Sequence, residues 1–93
     1  MKLRVVEICK SKGMTQKELA DKLEISEVGL SQQINGNPTI KTLEKIALIL
    51  EMPVWQLFSG SENALSGIVE YQGVIHRIQS KTDLEKLLNL IND

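Results

Sequence analysis

Two amides stand side by side at Gln32 and Gln33, inside the stretch ISEVGLSQQINGNPT (residues 25–39), which offers a helix little apolar surface. An amide side chain donates and accepts at once, so it can read a donor and acceptor pair on another molecule, but it is neither a nucleophile nor an acid. Groups fit for covalent chemistry are scarce. Cys9 is the single thiol and His76 the single imidazole. The sequence holds no paired acids, no nucleophile with a base and no phosphate-binding loop. One cysteine cannot close an internal disulfide, and it has no second thiol for a zinc site. The residues therefore predict a protein that binds and is not an enzyme, with no cofactor and no metal. Cys9 reads as a small core residue and His76 as a satisfied histidine within a strand.

A helix as short as the one around Gln32 is marginal in isolation, so its neighbours must hold it. LRVVEICKSKG places Val5, Ile8 and Cys9 at helical spacing and ends at Gly13, which suits the left-handed turn after a helix. This predicts helix one over about residues 2–12. In TQKE, Thr15 can cap a second helix and Glu18 can complete a capping box ahead of Leu19, Ala20 and Leu23. A connection through Glu24 and Ile25 leads to Ser26, the cap of helix three, which Asn35-Gly36 ends and Asn37-Pro38 forbids to continue. Thr39 restarts the chain, and Ile40, Leu43, Ile46, Ala47 and Leu50 trace the apolar face of helix four. Pro53 closes that helix and opens a short turn, VWQLF. Two helices joined by a few residues have helix-turn-helix spacing.

The segment MTQKELADKLEISEVGLSQQINGNPTIKTLEKIALILEMPVWQLF resembles the five-helix DNA-binding domain of phage repressors and related bacterial regulators, over about two thirds of the chain. The resemblance rests on Thr-Gln-x-Glu-Leu-Ala, the Leu-Ser before Asn-Gly, and the Pro-Thr-x-x-Thr-Leu-x-x-Ile-Ala register, all in order. It implies that helix three enters the DNA major groove and gives base-reading positions to Glu27, Val28, Ser31 and Gln32. Gln32 can pair bidentately with adenine, Val28 can touch a thymine methyl, and Glu27 can accept from a cytosine amino group or simply strengthen the helix N-terminus. Phosphate-binding positions are Gln16, Asn35, Asn37, Thr39 and Lys41, through helix-start N–H groups, side chains and charge. Against this, Gln32 and Gln33 also read as a solvated face, and Thr15, Ser26 and Thr39 as ordinary caps. Gln33 departs from the family, which usually carries an apolar residue there. Many relatives also pair a buried arginine at the position of Cys9 with a glutamate at that of Ile34; here both are apolar, which removes both desolvation penalties together.

Ninety-three residues, 42% hydrophobic and 25% charged, bound the chain to one helix-rich domain with an appendage and a modest core. The net charge of −1 gives no basic footprint. Residues 1–60 hold eight Lys/Arg against seven Asp/Glu, and residues 61–93 three against five, so the slight basic excess lies on the N-terminal side. The apolar run at the start is too short for a signal peptide or a membrane span, and a cytoplasmic, bacterial protein is expected. After residue 60, SGSENALSG reads as a linker (61–66), GIVEYQGVIHRI as a β-hairpin about Gln72-Gly73, and SKTD as the cap of a last helix. The expected architecture is thus mostly α: a five-helix DNA-binding domain over 1–60, the linker, and a hairpin-and-helix appendage over 67–93.

An isolated hairpin with one helix is too little to stand alone. Its residues Val69, Tyr71, Val74, His76, Ile78, Leu84, Leu87, Leu88 and Ile91 are therefore expected to dimerise the chain, with residues 1–60 folded, monomeric and weakly DNA-binding when cut free. Double-stranded DNA and a second copy are the expected partners. The main reading is a sequence-specific regulator, a repressor on a palindromic operator. The alternatives are a DNA-binding antitoxin whose residues 67–93 hold a toxin, and a protein-interaction module that no longer binds DNA.

Overall fold

Hydroxyl groups start four of the helices. In the computed structural model, which describes residues 3–36, 38–61 and 64–92, Thr15 Oγ1 accepts the Glu18 N–H at 3.1 Å and donates to the Glu18 carboxylate at 3.3 Å. Ser26 Oγ accepts the Gly29 N–H at 2.9 Å and Thr39 Oγ1 the Thr42 N–H at 3.3 Å. Ser80 Oγ accepts the Asp83 N–H at 3.2 Å, while Asp83 reaches back to accept the Gln79 N–H at 3.0 Å. The four bonds from the Glu18, Gly29, Thr42 and Asp83 N–H groups each satisfy a donor that the first turn of a helix leaves without a partner. The helices so begun are α2 (Gln16–Leu23), α3 (Glu27–Asn35), α4 (Ile40–Leu50) and α5 (Lys81–Asn92), and α1 (Val5–Ser11) precedes them. Gly13 takes a φ of +70° after α1, as its place in the sequence predicts.

Leu19, Ala20, Leu30, Ile34 and the α4 stripe Ile40, Leu43, Ile46, Ala47 and Leu50 close over Val5, Ile8 and Cys9 to form the core of the helical half. Cys9 and Ile34 are both buried, 2% and 5% exposed, so the pair of apolar replacements sits inside the core. Burial pushes the Cys9 thiol above its ordinary pKa, which keeps it uncharged and unreactive.

A short 3-10 turn (Val54–Leu57) leads into a three-stranded antiparallel sheet of β1 (Ser59–Ser61), β2 (Ala64–Tyr71) and β3 (Val74–Ile78), in the order β1-β2-β3. Gln72 and Gly73 form the two-residue turn, with φ of 51° and 79°, and Tyr71 pairs with Val74 across it. Leu65, Val69 and Ile78 point into the same core as the helices, and Leu84 and Leu87 of α5 join them.

One expectation fails here. The segment 61–66 is not a linker: Ser61 ends β1 and Ala64–Ser66 begin β2, with Gly60 opposite Leu65. Residues 62 and 63 of that segment lie outside the described residues, and Leu65 on β2 is buried in the core. Much of the appendage's apolar face is also spent inside the chain, which leaves less of it for a partner than the sequence suggests. Val69, Ile78, Leu84 and Leu87 are buried in the chain's own core, and Tyr71, Leu88 and Ile91 pack partly against it. Of the nine residues expected to dimerise the chain, Val74 stays exposed and His76 half-buried.

Candidate nucleic-acid interface

α3 is a nine-residue helix whose rotation is set by two residues. Leu30 and Ile34, one turn apart, are buried, so at about 100° per residue Gln32 lies opposite them and Val28 one turn earlier on the same outward side. Val28 is 67% exposed, so its methyl groups are open to a partner that lies along this face. Glu27 and Gln32 are exposed, and Ser31 is half-buried, its Oγ accepting from the Asn35 amide at 3.2 Å. The four residues expected to read bases therefore share one helix, with Gln32 and Val28 at the centre of its outer face.

α2 packs across α3 through a turn in which Glu24 takes a left-handed conformation, φ 60° and ψ 38°, and the Ile25 N–H returns to the Ala20 carbonyl at 3.0 Å. This is a helix-turn-helix pair in three dimensions. Gln16 occupies the first position of α2, where the N–H groups ahead of Glu18 remain open, and Lys41 is exposed on the first turn of α4. Asn35 is exposed at the end of α3, with its side chain committed to Ser31. Asn37 lies outside the described residues.

Thr39 does not fit its expected phosphate role. Its N–H is taken by Gln33 Oε1 at 3.1 Å, and its hydroxyl accepts the Thr42 N–H while donating to the Thr42 hydroxyl at 2.8 Å. Gln33, read from sequence as a departure from the family on a solvated face, is thus the clamp of the loop between α3 and α4. The signal was the amide itself: a polar residue at an apolar position beside a loop whose backbone groups have no helix to pair them.

Glu70 is a second residue that the sequence did not single out. Its N–H donates to the Pro38 carbonyl at 2.9 Å, and β2 runs parallel beside Thr39 at this one bridge. The hairpin is thereby fastened to the loop that follows α3. The same contact leaves Glu70 lining a hollow with Lys41 and Tyr71, a negative charge beside the lysine expected to meet a phosphate. Glu70→Gln is expected to strengthen binding to every DNA sequence by about twofold at low salt, with the gain fading as salt rises. Titrations of random duplex DNA at two salt concentrations test this; a gain confined to one sequence, or none, would remove Glu70 from the field at the interface.

A family model described as helix-turn-helix matches residues 5–54, more than half of the chain and all four helices before the sheet. The chain belongs to the phage-repressor type of helix-turn-helix protein. No curated protein and no solved structure matches it at a significant level. As a member of this helix-turn-helix family it is a DNA-binding transcriptional regulator, and α2 and α3 are the pair from which the family takes its description. The sheet and α5 lie beyond the matched segment. Among the described residues no helix is long and apolar enough to cross a membrane.

Proposed function

We propose that the chain binds a palindromic operator as a homodimer and represses the promoter that contains it, with Gln32 and Val28 reading bases and Gln16, Asn35 and Lys41 contacting phosphates. The observation that carries this reading is the outer face of α3: an exposed apolar side chain beside an outward amide, on a helix locked from behind by Leu30 and Ile34. One such helix reads only a few base pairs, so two copies related by a two-fold axis, with half-sites ~34 Å apart, supply the specificity a promoter requires.

Selection of bound sites from a random DNA pool is the deciding experiment. Gln32→Ala is expected to relax the preference at one position of each half-site, at a cost of about 1–3 kcal/mol against the best sequence, whereas Lys41→Ala weakens all sequences alike and lowers the salt slope by about 1. Val28→Ala should relax a neighbouring thymine. If the Gln32→Ala protein selects the parental motif unchanged, α3 does not read bases through this residue.

A further inference from the structure

β3 forms one edge of the sheet, and the hairpin register fixes which of its backbone groups face outward. Residues that flank a two-residue turn exchange hydrogen bonds, and the pattern alternates along the strands. Val74, His76 and Ile78 therefore bond to β2, while Ile75 and Arg77 turn their N–H and carbonyl groups away from it. Edges of this kind template pairing with another strand unless lysine, proline, a bulge or a covering element blocks them. Here Arg77 is the only charge on the strand, and Val74 and Ile75 are 55% and 49% exposed. Beside the edge, between β3 and α5, runs an open groove of about 460 Å³, with Ile78, Leu87 and Leu90 among its lining and Leu90 66% exposed.

We propose that a second copy of the chain adds its β3 antiparallel to this edge, with the two-fold axis passing at His76. The inference rests on the homodimer reading above and locates its interface. The outward residues Ile75 and Arg77 are symmetric about His76, so this register sets Ile75 against the partner's Arg77 and Arg77 against the partner's Ile75, satisfying every outward group of both strands. It also sets the partner's Val74 opposite Ile78, on the face that Val69 and Ile78 turn toward the core, where an exposed valine enters the groove beside Leu87 and Leu90. On the opposite face, Glu70 and the partner's Arg77 flank Ile75 from either side, opposite charges two strand spacings apart, about 9–10 Å at the backbone and within reach of two long side chains. The other registers are poorer. Centring on Arg77 opposes two guanidinium groups, and centring on Ile75 runs each strand past the partner's Gln72-Gly73 turn.

Two variants and one measurement test this on the full chain. Sedimentation at tens of micromolar should find the parent dimeric. Ile75→Pro removes an N–H that no bond among the described residues uses, and proline is tolerated on a strand edge of this kind; the variant should keep the parental circular dichroism and melt while its dimer weakens on the order of tenfold or more. His76→Cys, in a Cys9→Ala background, should form a covalent dimer in an oxidised glutathione buffer, because facing residues of a non-hydrogen-bonded antiparallel pair stand about 4.5 Å apart at Cα, within disulfide reach. A parent that sediments as a monomer overturns both the interface and the homodimer reading. A dimeric parent whose Ile75→Pro form is folded and equally dimeric, or whose His76→Cys form stays uncrosslinked, overturns the β3 interface alone. Should Ile75→Pro fail to fold, the crosslink decides by itself.

Discussion

A chain cut after residue 60 is expected to melt far below the intact protein and to lose most of its DNA binding. The reason is where the removed residues lie. Leu65, Val69, Ile78, Leu84 and Leu87 belong to the same continuous core as the helices that carry α3, so their loss opens that core to water. β2 packs on α4, the Lys81 ammonium stands 5.5 Å over the Trp55 ring, and the Asn92 amide donates to Glu44 at 3.4 Å. Uncovering two or three large side chains on the α4 side costs on the order of 5 kcal/mol. That is a large part of the roughly 5–15 kcal/mol that holds a small domain together. At about 4–8 °C per kcal/mol for a domain of this size, the midpoint should fall by more than 15 °C. Binding should suffer beyond the loss of stability, because the Glu70 N–H that holds the Pro38 carbonyl goes with the cut. Thermal melts of the 1–60 fragment and the full chain, followed by titration with selected DNA below both midpoints, measure the two effects separately. A fragment that melts with the parent would show that the sheet and α5 merely rest on the helices.

This outcome reverses what the sequence suggests, and the reversal shows which parts of the fold are local. Thr15, Ser26, Thr39 and Ser80 are legible as caps because each bond spans three residues, and Gln72-Gly73 is legible as a turn because its left-handed backbone is a property of those two residues. The period of the α4 stripe gives its buried face directly. β1 is illegible for the opposite reason. Ser59-Gly60-Ser61 has no strand pattern of its own, and it is extended because Ala64–Ser66 return beside it. The role of Gln33 depends on a bond to Thr39, six residues away, and that of Glu70 on Pro38, thirty-two residues away. Neither contact leaves a period or a motif. The outer face of α3 sits between these cases: the resemblance supplied its residues, and burial of Leu30 and Ile34 supplies its rotation.

The tethering of β2 to the loop after α3 also bears on how two reading helices would be spaced. A flexible linker would let each helix find its half-site independently. A hairpin bonded to Pro38 instead transmits the position of β3 to α3 through two strands and one loop, so a dimer built on β3 presents its reading helices at a fixed separation. Operators with one base pair inserted at the centre should then be bound much more weakly than the selected site, because the protein cannot stretch to follow them.

The core position of Ile34 gives the largest single-residue effect. Ile34→Glu places a carboxylate where the native side chain is 5% exposed, in a cluster formed by Cys9, Ile8 and Leu30 among others. An unpaired charge in such a place costs about 3–5 kcal/mol, a midpoint shift of roughly 12–40 °C. Adding Cys9→Arg supplies the partner that many related domains carry and should recover much of the loss, since the two positions are buried together. One escape is open to the single variant. Ile34 borders a surface groove that Arg4 and Lys10 also line, and a glutamate there can swing outward toward the Lys10 ammonium. Lys10→Ala on top of Ile34→Glu should therefore deepen the destabilisation, while Lys10→Ala in the parent changes little, its side chain being exposed. Thermal melts of the parent, the three single variants Ile34→Glu, Cys9→Arg and Lys10→Ala, the Ile34→Glu/Cys9→Arg pair and the Ile34→Glu/Lys10→Ala pair form two double-mutant cycles. If Ile34→Glu melts with the parent in both backgrounds, α1 and α3 do not meet at these residues; if Cys9→Arg gives no recovery, they meet in a geometry that cannot hold an ion pair, and the apolar pair is a repacked contact in place of a simple exchange.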